Sequence, residues 1–295
     1  MENLIFSEMA LQEEIERIVD FIRKEAGDQK LLIGLSGGID SDVTARLCYR
    51  AVGGERLKCF TVLQDEFDPK FIANAQCLAR DLGVKLVEIP LASYPLELMT
   101  ILSSSDPEVG FVADAAYLDV GRSKCAIRTF LFSAYAERGY LVVGPSNRTE
   151  LELGYFLPFG DKLAHICPII HLYKTQVQQL AKAIGTRPEV ITQPPAAGFW
   201  IGDEDLKGIA YWLYNGAPIK IDLKLGPDEK EVIKKIREEL SFYAIDLALQ
   251  GINLGESTQQ ISKDTGLSIF VIERLVKLAR EAFSYKRREF GKNLG

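Results

Sequence analysis

The sequence predicts an α/β fold, a parallel sheet with helices on both faces, and three observations predict it. Short apolar runs such as "LLIGL" (31–35), "KCFTVL" (58–63) and "YLVVG" (140–144) have the length and unbroken hydrophobicity of strands buried on both sides. Segments of helical spacing separate these runs, and strands joined by helical crossovers lie parallel. The first such junction carries Ser36-Gly37-Gly38, beyond the carboxyl end of a strand, where sheets of this kind bind their ligands.

Each element has its own signal. Residues 10–26 place Leu11, Ile15, Ile18 and Ile22 on one helical face. "LLIGL" follows as a buried strand, and a helix is expected from about Val43. After the strand "KCFTVL", Asp68-Pro69 supplies an N-cap and a first-turn proline for the next helix. The strand "VKLVEIPL" (84–91) precedes a stretch, residues 92–122, in which periodicity fades; it reads as a long loop or lid. A helix through "CAIRTFLFSAYAERG" (125–139), the strand "YLVVG" and the helix "YKTQVQQLAKAIG" (173–185) complete the alternation. "TQPPAAGFWIGDEDLKG" (192–208) reads as irregular, and after "PIKIDLKLGPDEK" (218–230) the chain reads as helical to its end. Two units are therefore expected: an α/β domain with its amino-terminal helix over 1–222, and a helical C-terminal extension packed on it over 223–295.

Composition narrows the class. The 295 residues, 47% hydrophobic and 26% charged, can bury a substantial globular core. No run approaches the roughly 18 apolar residues of a membrane span. The amino terminus carries acidic residues where a signal peptide is basic, so a cytoplasmic protein is expected. A net charge of −6 argues against a nucleic-acid coat. Cys48, Cys59, Cys77, Cys125 and Cys167 form no C-x-x-C pair, which leaves them as small hydrophobes in a reducing compartment rather than zinc or cluster ligands.

The opening turn has a chemical logic. A strand, Ser-Gly-Gly and a helix start together aim backbone N–H groups and a helix dipole at an anion, and phosphate is the natural guest. Gly37 and Gly38 would permit backbone angles and a close approach that a side chain forbids, while the hydroxyls of Ser36 and Ser41 can donate to phosphate oxygens. Asp40 cannot bind phosphate directly, so its carboxylate implies Mg2+ between it and a polyphosphate. No G-K-[ST] follows, so the loop is not a Walker P-loop.

The string S-G-G-x-D-S resembles the pyrophosphate-binding loop of the N-type ATP pyrophosphatases, and a second block, "GYLVVGPSNRTELELGYFLPFGDKLAHICPIIHLYKTQVQQLA", is similar to the NAD synthetase branch of that group. The elements "PPAAGFW" and "YKRREF" extend the resemblance over nearly the whole chain, apart from an insertion near residues 215–250. It implies an adenine nucleotide alpha hydrolase-like, Rossmann-like fold. The implied activity is an AMP-forming carbon–nitrogen ligase: ATP adenylates a carboxylate, deamido-NAD in the family, and ammonia displaces AMP. Carried over by position, Lys174 contacts the ATP phosphates, and Asp40 and Glu150 are the magnesium ligands. Ser36, Gly37, Gly38, Asp40, Ser41, Lys174 and Lys286 surround ATP and the departing pyrophosphate. Arg122, Lys124, Asp161 and His165 fall on the substrate side. A homodimer is implied as well, and no glutamine-hydrolysing constellation is visible, so free ammonia is the expected nitrogen source.

The departures lie mostly at the acceptor. Pro145 and Ala196 stand where the family has hydroxyls, Leu157-Pro158 where it has Thr-Lys, His165 where it has aspartate and Ala126 where it has arginine. ATP chemistry is thus kept in outline and nicotinate recognition altered, with deamido-NAD expected to bind poorly unless Arg122, Lys124 and His165 supply substitute contacts. Two alternatives follow. One is the same chemistry on another carboxylate or in sulfur transfer, with Cys167 as the thiol; Phe156, Phe159, Phe199 and Trp200 could wall a ring pocket in either case. The other is a nucleotide-sensing DNA-binding regulator, since Ile261, Leu267, Val271 and Leu275 have helix-turn-helix spacing and Lys286-Arg287-Arg288 follows.

Overall fold

In a computed structural model of the protein, residues 4–63, 68–91, 94–105, 111–112, 115–116, 120–156, 160, 163–196, 204–215 and 225–282 are described. Helix α1 (Glu8–Ala26) is capped by Ser7, whose Oγ accepts the Ala10 N–H, and it buries Ile15, Ile18, Val19 and Ile22. Strand β1 (Leu31–Gly34) leads into α2 (Ile39–Val52), β2 (Leu57–Leu63), α3 (Pro69–Leu82) and β3 (Leu86–Pro90). Then come α4 (Tyr94–Ser105), β4 (Phe111–Val112), β5 (Ala115–Ala116), α5 (Val120–Ala136) and β6 (Leu141–Val143). The remainder is helical: α6 (Arg148–Leu153), α7 (Lys174–Ala183), α8 (Pro188–Thr192), α9 (Asp205–Asn215), α10 (Pro227–Glu239), α11 (Phe242–Leu254), α12 (Thr258–Thr265) and α13 (Ile269–Ala282).

The sheet runs β3-β2-β1-β6, every pair parallel, with Leu31 level with Leu57 on one side and Leu141 on the other. Because β1 lies between β2 and β6, the chain leaves its carboxyl end at a switch point. Alternation along the strands splits the core as a doubly covered sheet requires. Leu31 and Ile33 pack with Ile15, Val43, Leu78 and Val177 of α1, α2, α3 and α7. Leu32, Phe60, Val62 and Val142 face the other way, against Phe132 and Tyr135 of α5. The Phe60 and Phe132 rings meet edge to face at 5.6 Å, and truncating such a buried ring costs about 3–5 kcal/mol.

A second core is helical. Trp212 and Leu213 of α9, Ile236 of α10, Ile245 and Leu249 of α11 and Val271 and Leu275 of α13 pack around Leu153 and Tyr173. Leu153 and Tyr173 belong to the α/β part of the chain, so the two cores share the segment from which the site is built.

Four sequence expectations need correction. Helix α2 begins at Ile39 rather than Val43, because Ile39, Val43 and Leu47 continue one buried face a turn earlier. Likewise α5 begins at Val120 rather than Cys125. Within 92–122, read as loop, the chain forms α4 and the antiparallel ribbon β4-β5; the good helix formers Leu96, Glu97, Leu98 and Met99 precede the serines that disguised them. The stretch 192–208, read as irregular, contains the start of α9 at Asp205.

Candidate functional site

The loop after β1 and the loop after β6 leave neighbouring strands and present the first turns of α2 and α6 to one another. In the first loop Gly37 has φ +77°, and a Cβ there would stand 2.0 Å from the Phe71 carbonyl oxygen. Only glycine fits. Gly38 is different: its φ of −90° is open to any residue, which corrects the expectation that both glycines are conformationally required. The turn holds itself together, since Ser41 Oγ donates to the Gly38 carbonyl at 2.9 Å, lies 3.1 Å from Ser36 Oγ and accepts the Ser36 N–H at 3.2 Å. Asn74 clamps it from α3, donating to the Gly37 carbonyl at 3.2 Å and to Gln193 Oε1 at 2.9 Å.

Three charges meet at the switch point. Asp40, in the first turn of α2, forms an ion pair with Lys174, the first residue of α7. Asn147 joins Asp40 to Glu150: its Nδ2 donates to Asp40 Oδ1 and to Glu150 Oε1, both at 2.9 Å. Asn147 Oδ1 in turn accepts the Glu150 N–H at 3.0 Å, and Glu150 Oε2 accepts the Asn147 N–H at 3.4 Å, a capping box that opens α6. Asp205, Thr149, Tyr155 and Phe242 complete the lining of the cleft.

Electrostatics follows from the crowding. Lys174 is only 2% exposed, and burial alone would discharge it; Asp40, Glu150 and Asp205 outweigh burial and hold its pKa above the ordinary lysine value. Burial first, and the Asp40 carboxylate second, push Glu150 well above the usual carboxylate range. The site is thus a buried ammonium held among acids.

Other expected residues are placed as follows. His165 is exposed, at the edge of the sheet, where its Nδ1 accepts the Val142 N–H at 2.9 Å and its own N–H donates to the Val142 carbonyl at 2.9 Å. Arg122 lies in the first turn of α5 and Lys124 two residues on, with side chains outside the described residues. Asp161, Lys286, Leu157, Pro158, Phe159, Phe199 and Trp200 lie outside the described residues altogether. Cys48, Cys59 and Cys125 are buried, whereas Cys77 and Cys167 are only half-buried. None of the five forms a disulfide. His171 pairs with Glu14 at 2.5 Å, and Glu14, although burial works to raise it, is brought down to about 2 by His171 and Arg17.

Three contributors escaped the sequence reading. Asn147 carried a signal, the N-x-x-E spacing of a capping box just before a helix. Asp205 lies in an acidic run at a helix start. Asp246 is a lone carboxylate within the apolar run "FYAIDLALQ", a pattern that marks a buried charge needing partners.

A parallel sheet with a serine-glycine turn and an acid–lysine cluster at its switch point defines a Rossmann-like α/β protein built around a nucleotide site. A family model, NAD synthase, matches residues 14–234. The chain is 32% identical over 278 residues to the NH(3)-dependent NAD(+) synthetase of Pyrococcus horikoshii, covering 93% of this chain and 91% of that one. It belongs to the NAD synthase family. Among solved structures, the fold is similar to that of an NMN synthetase from Francisella tularensis, with TM-score 0.72 and 20% identity over 98% of this chain and 100% of that one. It is also similar to an NH3-dependent NAD synthetase from Campylobacter jejuni, with TM-score 0.63 and 24% identity over 95% and 98% of the two chains.

Proposed function

We propose that the chain is an AMP-forming ligase: the carboxylate of deamido-NAD attacks the α-phosphate of ATP, pyrophosphate leaves, and ammonia displaces AMP from the adenylate to give the amide. The single observation that carries this reading is the buried Lys174 ammonium paired with Asp40 directly after the Ser-Gly-Gly turn, with Glu150 held beside it by Asn147. Membership of the NAD synthase family and the ammonia-dependent relatives support the acceptor and the nitrogen source.

The residues fit magnesium. Among the described residues no group of three or more His, Cys, Asp or Glu could hold an ion alone, and one or two carboxylates completed by phosphate oxygens is the ligand set that Mg2+ prefers. Asp40 and Glu150 would supply those carboxylates, and the ion when bound neutralises polyphosphate charge. Ser36, Gly37, Gly38 and Ser41 cradle phosphate oxygens, and Lys174 stabilises charge on the departing pyrophosphate. Arg122, Lys124, Asp161 and His165 are assigned to the acceptor, and Lys286 to the ATP phosphates, on the family resemblance alone. The helix-turn-helix-like positions Ile261, Leu267, Val271 and Leu275 are all buried in the helical core, which supports packing rather than DNA contact as their role. A homodimer in the cytoplasm completes the proposal; among the described residues no helix is long and apolar enough to cross a membrane.

The test is pyrophosphate release with ammonium across a panel of acids that includes deamido-NAD and nicotinate mononucleotide. Turnover with deamido-NAD and ammonium, and none with glutamine, is expected. Release that requires no acceptor, or one outside the pyridine nucleotides, overturns the reading.

A further inference from the structure

Helix α7 begins at Lys174 without a side-chain cap of the ordinary kind, because its N-cap residue, Tyr173, makes no capping hydrogen bond through an Asp, Asn, Ser or Thr oxygen. The first N–H groups of a helix need acceptors, and here they come from distant residues. Thr149 Oγ1 accepts the Lys174 N–H at 2.9 Å, and Asp246 Oδ2 accepts the Thr175 N–H at 2.9 Å and the Thr175 hydroxyl at 2.7 Å. Thr149 then donates its own hydroxyl proton to Asp246 Oδ1 at 2.5 Å. One carboxylate on α11 therefore ties together the residue before Glu150 and the residue after Lys174.

Asp246 is 0% exposed, in a helix that also buries Ala244, Ile245, Ala248, Leu249 and Gln250. Phe242, one turn earlier on the same helix, lines the cleft and lies under the Lys174 ammonium, 5.6 Å from ring centroid to Nζ. A buried carboxylate costs stability unless fully bonded, and Asp246 spends its acceptor capacity on the two helix starts that deliver Glu150 and Lys174. We infer that Asp246 is a positioning residue: through Thr149 and Thr175 it fixes the separation and orientation of Glu150 and Lys174, so that it shapes the phosphate site without itself lining the cleft. This inference rests on the reading that Glu150 and Lys174 serve ATP.

Steady-state pyrophosphate release, expressed per folded protein, tests it in four variants with Lys174→Met as the reference. Asp246→Asn keeps the shape and an acceptor for Thr175, but its amide cannot accept the Thr149 proton. Its kcat is expected to fall on the order of 10-fold to 10²-fold, with KM for ATP changed much less, because small displacements of reacting groups weigh on the transition state. Thr149→Val should reproduce that loss and Thr149→Ser, which restores the hydroxyl, should recover most of it. Leu249→Ala, a core truncation on the same helix, should lower the melting temperature while leaving kcat within about threefold. Near-normal kcat in Asp246→Asn or in Thr149→Val overturns the inference, as does an equal kcat loss in Leu249→Ala or no recovery in Thr149→Ser. If one of the first two variants does not fold, the other still decides. Should Lys174→Met itself release pyrophosphate normally, the site reading fails, and that outcome is separate from wild-type behaviour of Asp246→Asn beside an inactive Lys174→Met.

Discussion

Lys174 and Asp40, 134 positions apart in the chain, form an ion pair between a buried ammonium and a half-buried carboxylate that joins the first turn of α7 to the first turn of α2. The pair is asymmetric. Lys174 also answers Glu150 and Asp205, so removing it leaves three carboxylates facing one another in a buried cleft. Breaking a buried pair from one side costs about 3–5 kcal/mol, much of it from the charge left behind. Lys174→Met should therefore destabilise strongly, and adding Asp40→Asn should restore part of that stability while activity stays abolished. Urea unfolding of the two variants checks this; a double variant less stable than Lys174→Met would refute it.

Asp40→Asn and Glu150→Gln each remove one of the carboxylates proposed to hold magnesium while keeping size. Electrostatic stabilisation of this kind is worth about 10²–10³ in rate per contact, so each variant should lose magnesium-dependent pyrophosphate release by that order and retain its fold. Circular dichroism and a magnesium titration of the rate are the measurements, and near-normal turnover removes the magnesium assignment.

Gly37 should tolerate nothing larger. Alanine there adopts a left-handed φ, which costs about 1–3 kcal/mol, and its Cβ would overlap the Phe71 carbonyl. Gly38→Ala meets only Ser36 Oγ at 3.4 Å. Gly37→Ala should therefore lower the melting temperature and weaken ATP binding by calorimetry, whereas Gly38→Ala should keep stability near wild type. Equal melting temperatures in the two variants would contradict the argument.

How much of this was legible in the sequence depends on whether the determinant was local. The strand runs, the Asp68 cap and the Ser-Gly-Gly turn are read from adjacent residues, and β1, β2, β3, β6 and α3 stand where that reading places them. Asp40, Glu150 and Lys174 were named from motifs, but nothing local says that they meet; the sheet order β2-β1-β6 brings them together. Gly38 was over-read because composition cannot reveal φ. Asp246 was missed because its partners, Thr149 and Thr175, lie 97 and 71 positions away and carry no signal of their own.

Asp246 gives a pH signature. Burial pushes its carboxyl up to about 6 from an ordinary 3.8, against the pull of Thr149, Thr175 and Lys174. Between those values the folded state holds a proton that the unfolded chain has released, so stability falls as pH rises through the window and levels off above it. Two units at 1.36 kcal/mol each give a loss of about 3 kcal/mol at most. Asp246→Asn lacks this term, so its stability relative to wild type should improve by a comparable amount between about pH 4 and pH 7. Urea unfolding of both proteins at the two pH values checks it, and a constant difference would show that Asp246 titrates normally.

The acceptor side gives the last prediction. By the family resemblance, lysine, aspartate and arginine positions are held here by Pro158, His165 and Ala126, and each buried polar partner left unpaired costs roughly 1–3 kcal/mol. A site that still binds deamido-NAD must recover those contacts from its own residues. His165 is suited to one of them: its Nδ1 accepts the Val142 N–H, which leaves Nε2 as the ring's donor, on an exposed side chain at the sheet edge. Arg122 and Lys124, on α5, are the cations proposed for a pyrophosphate-bearing acceptor. Each of His165→Ala, Arg122→Ala and Lys124→Ala should raise KM for deamido-NAD by about 5-fold to 150-fold while leaving KM for ATP near wild type. The split separates acceptor contacts from ATP contacts, since a general loss of order would move both constants. If all three variants keep a wild-type KM for deamido-NAD, the replacement contacts come from elsewhere in the site. If wild-type turnover at micromolar deamido-NAD is itself absent, the enzyme serves a different carboxylate.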